Sequence, residues 1–244
     1  MTKVIFLHGW TMRGALFDFV SAEFDAIAPD LPGHGANIAK SGTLENCTEQ
    51  LRDLLWSNGP SLVVGWSMGA AIAWNYIARH GTRQISGLVT LDMSPKPVAT
   101  PDWPHGLIGQ TPVRQAATTL EIHHNWPQAA EKIATTMFAT KSGAPGFTRD
   151  QALAQILSND PAVMAAYWDE MMALDLRDTI AKIDVPYLVG FGAKSRVYSA
   201  QTAQWLAQTA PNAKTHTFPH SGHSPHLEEP QAFVDTLKDF AADL

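Results

Sequence analysis

The chain has 244 residues, enough for one large buried core carrying an insertion. Charged residues make up 16% of it and the formal net charge is −6, so no basic stripe exists to neutralise phosphates and nucleic acid is excluded as a partner. Cys47 is the only cysteine, which rules out an intrachain disulfide, and no apolar run approaches the length of a membrane span; we expect a cytoplasmic protein, off the membrane and held together by packing.

The first element is a strand over 3–8, "KVIFLH", too short for the apolar region of a secretory signal. A helical stretch near 14–22 and a strand over 25–31 follow, then a helix over 44–57. The run "SLVV" continues into Gly65-Trp66-Ser67-Met68-Gly69 and at once into a helical pattern reaching residue 80. That order reads as strand, sharp turn, helix. A further strand over 85–93 ends near Asp92. Strands over 186–192 and 214–219 alternate with helices over 199–209 and 229–242. Continuous apolar strands alternating with helices imply a mostly parallel sheet of about six strands, covered on both faces. Ligands in such a sheet bind beyond the carboxyl ends of the strands.

The alternation breaks between Pro95 and Val185. Pro-rich "SPKPVATPDWPHGL" opens this interval, and helical patterns follow near 110–123, 127–139, 148–158 and 160–173, with no convincing strand. We expect a core over 1–95 and 185–244 with a helical lid inserted over 96–184. Trp103, Trp126, Phe138 and Trp168 are the lid residues we expect to line a cleft, because a lid packed over a sheet edge must present some apolar side chains to it. Each can equally belong to the lid's own core.

The turn around Ser67 carries the chemistry. Glycines two residues before and after a serine in a strained strand-to-helix bend remove collisions with the neighbouring strand and helix. The bend lifts the hydroxyl clear of the sheet and sets the Met68 N–H at a helix N-terminus, ready to receive a negative oxygen. A second donor is expected from "HGW", residues 8–10, where Gly9 lets the chain bend and the Trp10 N–H can point into the site. A serine also needs a base. In "PHSGHSPHLEEP" the choice among His220, His223 and His226 falls on His223, which follows Gly222 in a loop between the last strand and the last helix. No Cys or carboxylate spacing turns these histidines into a metal-ligand set, so neither a metal nor another cofactor is expected.

"HGW" after the first strand, "DLPGHG" (30–35) after the second, "GWSMG" (65–69) and "SGHSPHLEEP" (221–230) together resemble the α/β-hydrolase superfamily, in its order and over its whole core. The resemblance implies Ser67 as nucleophile, His223 as general base and acid, and Trp10 with Met68 as the oxyanion hole. His34 in "DLPGHG" then belongs to a structural turn, and the chain begins at the family's third strand. One departure stands out. Where the family's acid usually follows the strand at 186–192, the chain reads Gly192-Ala193-Lys194-Ser195, with a serine in the carboxylate's place. The acid comes from elsewhere, or the triad is degraded, or the chain is a non-catalytic binding protein on a hydrolase scaffold. Asp92, one strand after the nucleophile, is the first candidate; capping the Pro-rich lid entry is its other reading, and Asp175 beside Arg177 is a more distant option.

The expectation is a serine hydrolase of carboxylic esters, a carboxylesterase acting on small-molecule substrates with small to medium apolar acyl groups. The same residues can run thioester cleavage, acyl transfer, carbon–carbon bond hydrolysis or haloperoxidase-like perhydrolysis. "HGW" with "GWSMG" is similar to the pimeloyl-ACP methyl ester esterase branch of the superfamily, which keeps the usual aspartate. The interval 96–184 holds seven Lys or Arg against ten Asp or Glu, so an acidic carrier protein is not the expected partner.

Overall fold

The computed structural model describes residues 2–244. Six parallel strands form one sheet: β1 (Lys3–Leu7), β2 (Asp25–Ile27), β3 (Ser61–Trp66), β4 (Ile85–Leu91), β7 (Tyr187–Gly192) and β8 (Ala213–Phe218), in the spatial order β2-β1-β3-β4-β7-β8. β3 and β7 are buried along their whole length, as strands covered on both faces must be. The helices beside them are α1 (Leu44–Asn58), α2 (Met68–His80), α8 (Ala200–Thr209) and α10 (Pro230–Ala242), with the short α9 (Pro225–Glu228) leading into the last. The Thr43 hydroxyl caps α1 by accepting the Asn46 N–H, which fixes where that helix begins.

Two expected elements change character. The stretch near 14–22 is a 3-10 helix over Gly14–Val20, and the second strand stops at Ile27, well before the expected residue 31. The proline-flanked run 28–32 turns away from the sheet, and the Asp30 carboxylate there accepts the N–H of Gly14 at 2.8 Å and of Ala36 at 2.7 Å. It is spent on loop construction.

Between β4 and β7 the chain builds α3 (Pro112–His124), α4 (Trp126–Thr136), α5 (Arg149–Leu157), α6 (Pro161–Met172) and the short α7 (Arg177–Ile180). The absence of strand expected there is corrected by a small antiparallel hairpin, β5 (Gly143–Ala144) with β6 (Phe147–Thr148). Strands of two residues carry no periodicity to read. Thr148 and Gln151 then close a reciprocal capping box that starts α5.

This helical interval is tied down at two places. From α6, Tyr167 Oη–H donates to the Pro32 carbonyl at 2.7 Å and the Glu170 carboxylate accepts the Leu44 N–H at 2.6 Å. Asn159, just before α6, donates to the Thr11 carbonyl at 2.9 Å, and the Trp10 indole N–H donates to the Met164 carbonyl at 3.1 Å. At the far side Ser224 Oγ–H donates to Met137 O at 2.9 Å, and Arg196 donates to the carbonyls of Phe138, at 2.6 Å, and Thr135 at the end of α4. By contrast α3 buries only Ile122 of its thirteen residues and leaves Val113 and Leu120 exposed. No helix among the described residues is long and apolar enough to cross a membrane.

Candidate active site

Ser67 ends β3 and opens α2 with φ 52° and ψ −118°, a conformation that L-residues rarely occupy. The glycines explain how the chain reaches it. A Cβ on Gly69 would lie 2.1 Å from the Leu7 carbonyl of β1, and one on Gly65 would lie 2.6 Å from the Ala70 nitrogen at the start of α2. Thr11 and Asp92 share the property, with φ of 67° and 48°. Among the described residues these three are the non-glycine positions with positive φ; Ser67 and Asp92 directly follow β3 and β4, and Thr11 lies in the turn after β1. Strain of this kind costs about 1–3 kcal/mol per residue and persists where the surroundings enforce it.

The loop between β8 and α9 delivers His223. Ser67 Oγ–H donates to His223 Nε2 at 3.0 Å, and His223 Nδ1–H donates to Asp92 Oδ2 at 2.6 Å. The Asp92 side chain is 1% exposed. Among the described residues no backbone N–H, Lys or Arg bonds that carboxylate; its two donors are the imidazole and Ser195 Oγ–H, the latter at 2.6 Å. The capping reading of Asp92 finds no support in these contacts. Asp175 is remote from the cluster and forms a two-pronged pair with Arg177 at 2.6 and 2.7 Å, which holds its carboxyl well below the usual range, at about 2.

Several groups that sequence reasoning missed hold His223 in place. The indole N–H of Trp66, the residue before the serine, donates to the His223 carbonyl at 2.7 Å. The Glu228 carboxylate accepts N–H groups of Gly222 (2.7 Å), Ser224 (3.3 Å) and Ala139 (2.6 Å), joining the histidine loop to the segment after α4. Burial raises the Glu228 proton affinity and these three donors work against it. A glutamate five residues after a loop histidine, before a proline, is the one sequence signal that hinted at this. Tyr198 packs beside His223, its phenol pushed up by burial and by the Asp92 charge.

Trp10 lines the same cavity as Ser67, and Met68 follows Ser67 in the chain. Met68 is the first residue of α2, where a backbone N–H has no intrahelical acceptor. The Trp10 loop is braced by two buried histidines. His8 Nε2 accepts the Leu31 N–H at 2.9 Å and His34 Nε2 accepts the Thr11 N–H at 3.2 Å. Burial pushes His8 down to about 3 and His34 to about 4, so both are neutral acceptors at neutral pH. His226, fully buried between Phe17 and Trp66, is likewise pushed down to about 3, and His220 is exposed. Among the described residues no group of histidine, cysteine or carboxylate side chains is arranged to hold a metal ion.

A mostly apolar cavity of about 320 Å³ opens over Ser67 and His223. Trp10, Met93, Ile122, Met137, Trp168, Met171 and Tyr198 line it, with the Glu121–Lys132 ion pair and Arg196 among its few charged groups. Of the four lid residues singled out by sequence, Trp168 lines this cavity. Trp126 stands behind it, packed edge-on against Trp10 at 5.9 Å. Trp103 faces Trp205 and gives its indole N–H to Lys96 O, and Phe138 is fully buried against Phe147. Apolar type alone does not say which buried surface a side chain joins.

This fold and this arrangement at the strand ends are those of the α/β hydrolases: the sequence profile of the alpha/beta hydrolase family matches residues 4–236, and the chain belongs to that family. Similar curated relatives are pimeloyl-[acyl-carrier protein] methyl ester esterases. That of Chromobacterium violaceum is 29% identical, covering 97% of this chain and 92% of the relative. That of Nitrosomonas europaea is 30% identical over 95% and 92%. Among solved structures, an esterase from Exiguobacterium antarcticum superposes with a TM-score of 0.87 at 21% identity, covering 98% of this chain and 91% of the other. A hydrolase from Oleispira antarctica gives 0.89 at 19% identity over 100% and 92%. At such identities these structures speak for the fold alone.

Proposed function

We propose that the protein is a serine hydrolase that cleaves carboxylic esters through Ser67, His223 and Asp92. The observation that carries the reading is the unbroken hydrogen-bonded line from the Ser67 hydroxyl through both nitrogens of His223 to the buried Asp92 carboxylate. In this reading Ser67 Oγ attacks the acyl carbon while His223 Nε2 takes its proton, and Asp92 stabilises the imidazolium that forms. The Trp10 and Met68 N–H groups receive the tetrahedral oxyanion, a contribution of about 10²–10³ in rate for a single donor of this type. His223 then passes the proton to the leaving alcohol, and water releases the acid by the same steps in reverse.

Residues 96–184 act as a lid over a core made of 1–95 and 185–244, and Trp168 with the methionines of the cavity takes an acyl group of small to medium length. The names of the curated relatives favour a second reading, a carrier-bound methyl ester. Against it stands the acidic balance of the lid interval, which would repel an acidic carrier. Turnover of short-chain methyl and p-nitrophenyl esters, compared with the same acyl group attached to a carrier, separates the two. Ser67→Ala tests the common core: ester turnover and labelling by a fluorophosphonate should vanish while the thermal unfolding curve stays in place. Labelling that survives the substitution would reassign the nucleophile.

A further inference from the structure

Ser195 stands where the family's acid is usual, and it makes the closest contact to Asp92 that the mechanism above leaves unused. Its Oγ–H donates to Asp92 Oδ2 at 2.6 Å, the same oxygen that takes the His223 Nδ1–H at 2.6 Å. The Ser195 oxygen itself accepts the N–H groups of Val197 at 3.2 Å and Tyr198 at 3.3 Å. With those two donors occupying its lone pairs, the hydroxyl has one direction left for its proton, toward the carboxylate. A buried carboxylate with a single partner is free to rotate about its last torsion; two donors converging on one oxygen fix it.

The sheet explains why these two loops meet. β4 and β7 are parallel neighbours with Leu91 opposite Gly190, and the Asp92 N–H donates to the Gly190 carbonyl at 2.9 Å. Both chains leave the same edge side by side. The turn after β7 points two backbone N–H groups at the side-chain oxygen of Ser195 and so fixes where that hydroxyl stands.

We propose that Ser195 is a positioning residue that orients Asp92 toward His223. The proposal rests on the Ser67–His223–Asp92 reading.

Steady-state kinetics of the purified full chain on a p-nitrophenyl ester test this. Asp92→Asn should lose about 10⁴ in kcat. Ser195→Ala should lose about tenfold in kcat with KM nearly unchanged, the share of a charge-assisted hydrogen bond felt in the transition state. Its kcat/KM profile should also move its acidic limb to higher pH, because a carboxylate relieved of one donor draws a proton onto the imidazole more strongly. Ser195→Thr, which keeps the hydroxyl, should restore most of the rate and the profile. A Ser195→Ala variant with wild-type kcat and pH profile overturns the positioning role. If Asp92→Asn itself retains its rate, the triad reading has failed instead, and the two results are distinct.

Discussion

Lowering the pH should unfold this protein through its buried histidines before its surface charges matter. His8, His34 and His226 are neutral inside the fold, with proton affinities pushed down to about 3, 4 and 3. In the unfolded chain each binds a proton near pH 6.5. Above that pH neither state holds the extra protons and the three contribute their full stability. As pH falls below about 6.5 the unfolded chain takes up three protons that the folded one refuses, so stability drops until the folded values near 3–4 are reached. The limiting slope is about 1.4 kcal/mol per pH unit for each histidine, and the three together remove about 6 kcal/mol between pH 7.5 and 5. Glu228 acts with the opposite sign, since its raised affinity lets the folded state bind a proton first, and it offsets part of the loss near the low end. A loss of about 5 kcal/mol is comparable to the whole stability of many domains. Urea unfolding followed by far-UV circular dichroism at several pH values measures it. His226→Phe sharpens the test, because among the described residues neither ring nitrogen of His226 finds a partner and the ring already packs against Phe17 and Trp66. That variant should be more stable at neutral pH by about 1–3 kcal/mol and lose about one third less on acidification. A wild-type curve that falls by less than one histidine's share, about 2 kcal/mol, would show that the buried rings are not the acid-sensitive groups.

Two further substitutions probe the frame around Ser67. Gly69→Ala should cost about 3 kcal/mol or more, since its Cβ would sit 2.1 Å from the Leu7 carbonyl and backbone must move; thermal unfolding reads this as a fall of about 10 °C, and an unchanged midpoint would contradict the packing argument. Trp66→Phe removes the indole donor to the His223 carbonyl, so kcat should fall about tenfold with KM little changed; equal losses in kcat and affinity would place the indole's role in the cavity and not in holding the histidine.

The strands and the helices of the core were legible because apolar runs and 3.6-residue periods report burial directly. The helix over 68–80 matches residue for residue, and four of the five helices of the inserted interval lie within two or three residues of their expected bounds, the short α7 being unforeseen. What stayed hidden depends on chain segments distant in sequence. The run after Ile27 was too apolar to be told from a strand; it leaves the sheet because prolines at 29 and 32 and the Asp30 contacts favour a loop. Trp103 and Phe138 carry the same apolar signature as Trp168, and only the packing angles of the lid helices decide which of them faces the cavity.

Ser195 shows the same limit at the site. In sequence it reads as a missing carboxylate, because the pattern records one position at a time. In space the relevant unit is a pair of neighbouring strand ends, and its charge inventory is complete: one carboxylate from β4, one hydroxyl from β7, and one imidazole bonded to the carboxylate they share. A parallel sheet places the last residues of adjacent strands about 5 Å apart, so a hydroxyl just past β7 can reach the carboxylate just past β4. The adjacency of β4 and β7 in the sheet therefore accounts for the Ser195–Asp92 contact beside the hydrogen-bonded line from Asp92 through His223 to Ser67.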